Sequence, residues 1–422
     1  MLRRLIPLLV LLALAAPTAQ ARTIKPLPES WQKGMNVAAF RWDQFGGDRF
    51  YYWMRQLHGR AHADHAMFAM RWIQYWKDPL RGDDLASTDI NPAYGSPKDC
   101  KGRPRTDYTK CQTPSLAATR KAMLYAKKLG MKIEIKPLVD VGRNPQAQAG
   151  REYINFADPD DRAAWFASYR VMLGRYAALA RDVGADMLVV GTGLTKMTDS
   201  PAEQEEWRAM IADIRTGDLM ADGKGGFAGK LTYATRWDAI YKDAYDPEQP
   251  LFFWDDLDYI GVEGFWPLIN GNDPDHDNPS ISRLRQGWTF NFLQGGMPPG
   301  AALRALHDEY LKPVLLTGLG YVSRGGTSAG PFKGDYEQAG AGGKINMQAQ
   351  ERPIHASFDF WSGVARQGGW FRGIYWWNWL PKIGYVKTNG DYTAQGKPAE
   401  VELCLRHLGH ASRACKPSGM PK

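Results

Sequence analysis

Tryptophan, basic and acidic side chains recur in short clusters, each at the end of an apolar run. They are Trp42 with Asp43, then Arg71 with Trp72, Tyr75 and Trp76, and then Lys136 with Asp140. Further on come Arg236, Trp237 and Asp238, then Glu263, Phe265 and Trp266, and last Tyr375, Trp376, Asn378 and Trp379. Two more runs end in glycine, as Thr192-Gly193-Leu194 and Thr317-Gly318-Leu319. Aromatic planes stack on the apolar C–H faces of a sugar ring, and the ring hydroxyls need polar partners beside them. Any one of these tryptophans reads best as core. Gathered at one mouth, Trp42, Trp72, Trp237, Trp266, Trp376 and Trp379 would suit a carbohydrate, with Arg71, Lys136, Asp140, Glu263 and Asn378 as polar contacts.

Such clusters share a mouth only if the runs before them are parallel strands. Strand-like runs cover 34–40, 66–73, 132–139, 186–192, 231–235, 259–264, 313–319 and 373–377. Several are continuously apolar, as in strands buried on both faces. Helix-like segments separate them. The stretch 159–184 has an acidic first turn and a terminal glycine, 115–130 ends Lys-Lys-Leu-Gly, and 200–215 opens with Ser200-Pro201-Ala202-Glu203, a capping box. Eight strands alternating with helices predict one (β/α)8 TIM barrel with long loops after its strands. The polar insertion 78–113, the acidic loop 270–280 and the Gly-rich loop 323–344 all follow strand ends, the functional face of such a barrel. Within the acidic loop, Asp273, Asp275 and Asp277 read as a solvated turn, because their spacing is not that of a calcium loop.

A chain of 422 residues, 44% hydrophobic and 23% charged, buries a large core and is neither disordered nor collagenous. Its formal charge of +8 is scattered, which argues against a nucleic-acid partner. Residues 1–21 have the form of a cleaved signal peptide. Arg3 and Arg4 precede a short apolar stretch, and Ala19-Gln20-Ala21 offers the cleavage site, so the barrel domain is expected over 22–422. The expected location is periplasmic or secreted, without a membrane anchor. Cys100 and Cys111 are eleven residues apart, as are Cys404 and Cys415, and local disulfides within each pair suit that compartment better than zinc ligation. No metal or cofactor is expected, and the protein is expected to be a monomer.

Longer motifs run through most of the mature chain in a characteristic order. They include Lys33-Gly34-Met35-Asn36, Lys136-Pro137 with Asp140, Trp165-Phe166-Ala167-Ser168-Tyr169 and Tyr176-Ala177. Val190-Gly191-Thr192, Trp207 with Ile211 and Arg215, and Leu231-Thr232-Tyr233-Ala234 follow. The series ends with 253–261, Lys312-Pro313-Val314-Leu315, Gly320-Tyr321, and Trp376 with Trp377. In these motifs the chain resembles glycoside hydrolase family 113, a group of retaining β-mannanase-type barrels. Retaining hydrolysis needs two carboxyls about 5–5.5 Å apart, one as nucleophile and one as acid/base. The resemblance implies one after the Gly-Thr of the fourth strand, where Gly193 stands, and the nucleophile after the seventh strand's Thr317, where Gly318 stands. Leu138 replaces a usual His, Phe265 an aromatic hydroxyl, and Glu263 a usual Asn or Asp.

Glycine neither donates a proton nor attacks an anomeric carbon. The expectation is therefore a barrel that binds a β-mannan-like or envelope glycan with hydrolysis impaired or lost. One alternative is an active glycosidase or transglycosylase using relocated carboxylates such as Glu263 and Asp140. Another is a protein-interaction scaffold in envelope polysaccharide metabolism. With two carboxylates gone, Arg71 and Lys136 must find partners among Glu134, Asp140 and Glu263, or in an anionic ligand.

Overall fold

The computed structural model describes residues 24–74, 88–95, 97–101, 110–141, 150–198, 200–241, 253–290, 292, 296–383 and 389–419. The proposed signal peptide, Tyr75, Trp76 and much of the insertion 78–113 lie outside these residues. All eight expected strands are present. They are β1 (Gln32–Ala39), β2 (His65–Gln74), β4 (Lys132–Val141), β5 (Met187–Thr192), β6 (Lys230–Arg236), β7 (Tyr259–Glu263), β8 (Val314–Leu319) and β9 (Phe371–Trp379). A two-residue strand, β3 (Ile90–Asn91), pairs antiparallel with the end of β2. The eight longer strands are parallel, and β1 pairs with both β2 and β9, so the sheet closes into a barrel.

Local signals fix the helices where the sequence marks them. Asp158 caps the helix Pro159–Val183 by accepting from the N–H of Asp160, and Gly184 ends it in the left-handed conformation. Glu203 accepts from the N–H of Ser200 at 3.0 Å at the start of Pro201–Thr216. Ser115 accepts from the N–H of Ala118 at the start of Leu116–Lys128.

Strand alternation sorts the side chains into two cores. Inside the barrel, Met67, Met187, Val189, Ala234, Leu315 and Tyr375 pack together. Ala38, Ala69 and Leu138 form a second interior group with Phe40 and Trp377. Outward-facing residues meet the helices: Trp72 donates to the Tyr176 hydroxyl at 3.1 Å, and Trp376 packs on Phe358 of the helix Met347–Arg366. Both expected disulfides form, Cys100–Cys111 and Cys404–Cys415. Among the described residues, no helix is long and apolar enough to cross a membrane.

Candidate functional site

The strand alternation that fills the barrel also aims β4 upward through its axis. Glu134, Lys136, Leu138 and Asp140 share the inner face, so Lys136 and Asp140 emerge together at the C-terminal mouth. There a cavity of about 640 Å³ opens, floored by β4, β5, β7 and β9 and walled by the loops after β4, β8 and β9. Arg71, Lys136, Asp140, Trp237 and Glu263 line it, as the sequence predicts, and so do Gly193 and Phe265.

Three ion-pair groups set its electrostatics. On the floor, the Lys136 ammonium donates to Glu263 Oε1 at 2.5 Å and to the Thr317 carbonyl at 3.1 Å. The Thr317 hydroxyl donates to the same Glu263 oxygen at 3.0 Å. Burial pushes the Lys136 pKa down, and the facing Glu263 carboxylate offsets part of that. Higher up, Asp140 accepts from Arg151 and, at 3.3 Å, from Arg71. Burial opposes its charge, but the two guanidinium groups outweigh it and hold its carboxyl below the ordinary range. Arg236 pairs with Glu152 at 2.8 Å and with Asp238 at 2.8 and 2.9 Å. Arg71 and Lys136 thus have the internal partners that the sequence required, and an anionic ligand is not needed to balance them.

The two glycines differ in what surrounds them. Gly193 has φ +61°, and a Cβ there would lie 3.5–3.7 Å from the Arg151 and Arg236 side chains. A Cβ at Gly318 would lie 2.6–2.9 Å from the carboxylate of Glu263. The side chain of Glu263, carried on β7, therefore fills the space where a residue at 318 on β8 would begin.

Several expected contacts lie elsewhere. Trp72, Trp266, Trp376 and Trp379 are at most 3% exposed and lie outside the cleft lining. Trp72 and Trp376 point outward because strand neighbours alternate: Arg71 faces the mouth, so Trp72 faces the helices, and Tyr375 and Trp377 face inward, so Trp376 does not. Trp266 donates to the Tyr241 hydroxyl at 3.1 Å, and Trp379 to the Trp53 carbonyl at 3.1 Å. Asn378 is buried outside the cleft lining. Trp42 is half-buried beside the first disulfide, its backbone N–H donating to the Cys111 carbonyl at 3.1 Å.

The aromatic wall is built from other residues: Trp377, Phe265, Phe332 and Tyr392, together with Trp237. The Lys136 ammonium lies 5.6 Å from the Trp377 ring centre, and Phe332 stacks on Trp237 with centres 6.0 Å apart. Period-two alternation from Tyr375 marks Trp377. Arg151, Glu152, Phe332 and Tyr392 carry no local signal, since only the fold returns their loops to the mouth.

Away from the mouth, donor atoms of Glu351, His355 and Glu402 lie within 4.8 Å of one another. Arg406 donates to Glu402 at 2.7 Å and reaches Asp359 at 2.6 Å, so the group is an ion-pair network joining two helices. In the acidic loop, Asp273 pairs with Arg283 at 3.4 Å.

A closed parallel barrel with a polar, aromatic-walled cleft at its C-terminal mouth is the architecture of many glycoside hydrolases. The sequence model of glycoside hydrolase family 113 matches residues 98–397, and the chain belongs to that family. The barrel is similar to a solved family 113 β-1,4-mannanase, with a TM-score of 0.63 and 23% identity over 90% of this chain and 99% of that one. It is equally similar to the family 113 β-mannanase AaManA of Alicyclobacillus acidocaldarius, solved in complex with ManMIm, with a TM-score of 0.63 and 24% identity over 90% of this chain and 98% of that one. No curated protein sequence matches it significantly.

Proposed function

We propose that this protein is a periplasmic or secreted barrel that binds a β-mannan-like or envelope glycan in its cleft and does not hydrolyse it. The observation that carries this reading is the state of the cleft's carboxylates. Glycines stand at the two positions where the family resemblance implies catalytic carboxyls, and the stems of Arg151 and Arg236 flank Gly193. Of the four carboxylates lining the described cleft, Asp140 is held ionised by Arg151 and Arg71, and Glu152 is paired with Arg236. Glu337 is exposed at the rim and caps its own turn by accepting from the N–H of Gly334. Glu263 is paired with Lys136 on the floor. A general acid needs a carboxyl kept protonated by an apolar setting, and the two guanidinium groups oppose that for Asp140.

The balanced charge supports a neutral glycan over a strongly acidic one. Trp377, Phe265 and the Trp237–Phe332 stack supply ring-stacking surfaces, and the ion-paired side chains supply hydrogen bonds to hydroxyls. Titration calorimetry with manno-oligosaccharides and a panel of envelope glycans tests the reading. We expect saturable binding with Kd about 10 µM to 1 mM, as befits an open cleft. Trp377→Ala should weaken it by roughly tenfold through lost stacking. Silence across the panel would refute the reading.

A further inference from the structure

We propose that Glu263 is a nucleophile transposed onto β7, able to capture one glycosyl group from an activated β-mannoside as a covalent ester. This rests on the reading of the cleft as a glycan site and adds a reaction to it.

Three features of the floor single out this carboxylate. Its Oε1 is held by the Lys136 ammonium and the Thr317 hydroxyl at 2.5 and 3.0 Å, which fixes the group's orientation. Thr317's own carbonyl is held in turn by Lys136 and by the Asn36 amide at 3.0 Å, so the scaffold beneath is tied to β1 as well. Its Oε2 lies 2.6 Å from where a Cβ at 318 would stand. Because 318 is glycine, no side chain covers that oxygen from β8. The side chain remains 15% exposed on the cleft floor, beside Phe265 and facing the same cavity as Trp377.

The same cleft explains why the reaction would stop halfway. In the covalent step, Glu263 Oε2 donates an electron pair to the anomeric carbon while the bond from that carbon to the leaving oxygen breaks. The leaving oxygen takes the bonding pair with it. An alkoxide leaving group, as in a natural glycan, needs a proton at that moment, and the face around Gly193 presents Arg151 and Arg236 in place of a carboxyl. A dinitrophenolate leaves as a stable anion and needs none. Hydrolysis of the ester needs a base to activate water, and the carboxylates beside that face, Asp140 and Glu152, are already engaged by Arg151 and Arg236, so the ester persists.

The experiment mixes the full mature protein with dinitrophenyl β-mannoside. Released dinitrophenolate is followed by absorbance, intact mass is recorded, and binding of the unreactive methyl β-mannoside is measured in parallel. The expected result is a burst of about one equivalent per protein, a mass gain of one hexosyl group mapped by peptide sequencing to Glu263, and slow release afterwards. Azide, which attacks without a base, should accelerate turnover and yield a glycosyl azide. Glu263→Gln should abolish the burst while keeping the wild type's far-UV circular dichroism spectrum and a cooperative melt, which shows that the variant is folded. Binding without burst or adduct overturns the nucleophile and leaves the glycan-binding reading standing. An adduct on another residue, or an undiminished burst in Glu263→Gln, also overturns it. Neither binding nor adduct overturns both.

Discussion

Replacing Glu134 by Gln should stabilise the protein above neutral pH and change its stability little in acid. Glu134 lies on the inner face of β4, 1% exposed, toward the barrel's N-terminal end. His65, Asp186, Asp64 and Tyr375 face it, and its Oε2 has no hydrogen-bond partner among the described residues. Burial is the main reason its carboxyl is raised from 4.5 to about 7; the His65 charge and the Tyr375 hydroxyl act against that, and Asp186 and Asp64 reinforce it. A carboxyl carried from 4.5 to about 7 is worth about 3 kcal/mol. The folded state binds this proton more tightly than the unfolded chain does. The stabilisation is therefore complete below pH 4.5, falls as pH rises, and is gone once pH passes about 7. An amide has no such dependence. Urea denaturation of both proteins at pH 4.5, 6, 7 and 8 isolates the effect as the difference between two curves. The variant should gain up to about 3 kcal/mol on the wild type across that range, less whatever its amide loses in unmade hydrogen bonds. His65 is raised despite its burial by Asp64 and by Glu134 itself, and losing the Glu134 charge lowers it. Parallel curves for the two proteins would refute the placement of a neutral carboxyl in the barrel.

Three further outcomes follow from the cleft and its supports. Gly318→Ala should cost about 1–3 kcal/mol, because its Cβ would meet the Glu263 carboxylate at 2.6–2.9 Å, and Glu263→Ala in the same chain should relieve that cost, a coupling read by a double-mutant cycle of denaturation midpoints. Trp376→Ala should cost about 3–5 kcal/mol in chemical denaturation, yet leave glycan affinity unchanged, since the ring packs on Phe358 behind the barrel wall. Cys100→Ser should destabilise by about 2–3 kcal/mol and also weaken binding, because the stapled segment supplies the Gln112 oxygen at 2.5 Å to Arg71 and the Thr113 hydroxyl to the Arg71 carbonyl at 2.7 Å.

Much of this architecture was legible because local rules agree with the global fold. Continuous apolar runs marked every barrel strand within a few residues, and Ser200 and Gly184 marked helix ends through orphaned backbone groups that must be satisfied. Closure of two short local loops led to the right cysteine pairs. The mouth was harder. Naming strand ends in order gathers Trp72 and Trp376 with Arg71 and Lys136, but side chains alternate faces, and a one-residue difference moves an indole from cleft to helix layer; Trp379, in phase with Tyr375, lies beyond a register shift between β1 and β9 and packs on Trp53 instead. Applying that alternation to Tyr375 would have chosen Trp377. The meeting of Glu263 with Gly318 could not be read at all, since it depends on the stagger between β7 and β8, where Glu263 stands opposite Gly318 after a register shift.

The most direct test is prolonged incubation of the protein with mannohexaose, followed by chromatography of the products. Alongside the wild type stands a triple variant, Gly193→Glu with Gly318→Glu and Glu263→Asn, which returns both carboxyls and clears the space that the Glu263 side chain fills. The φ of +61° at Gly193 strains any residue placed there, so recovered activity in that variant would be partial. The account predicts intact mannohexaose with the wild type and shorter oligosaccharides with the triple variant. Shortening by the wild type, at a rate that Glu263→Gln or Asp140→Asn abolishes, would contradict it.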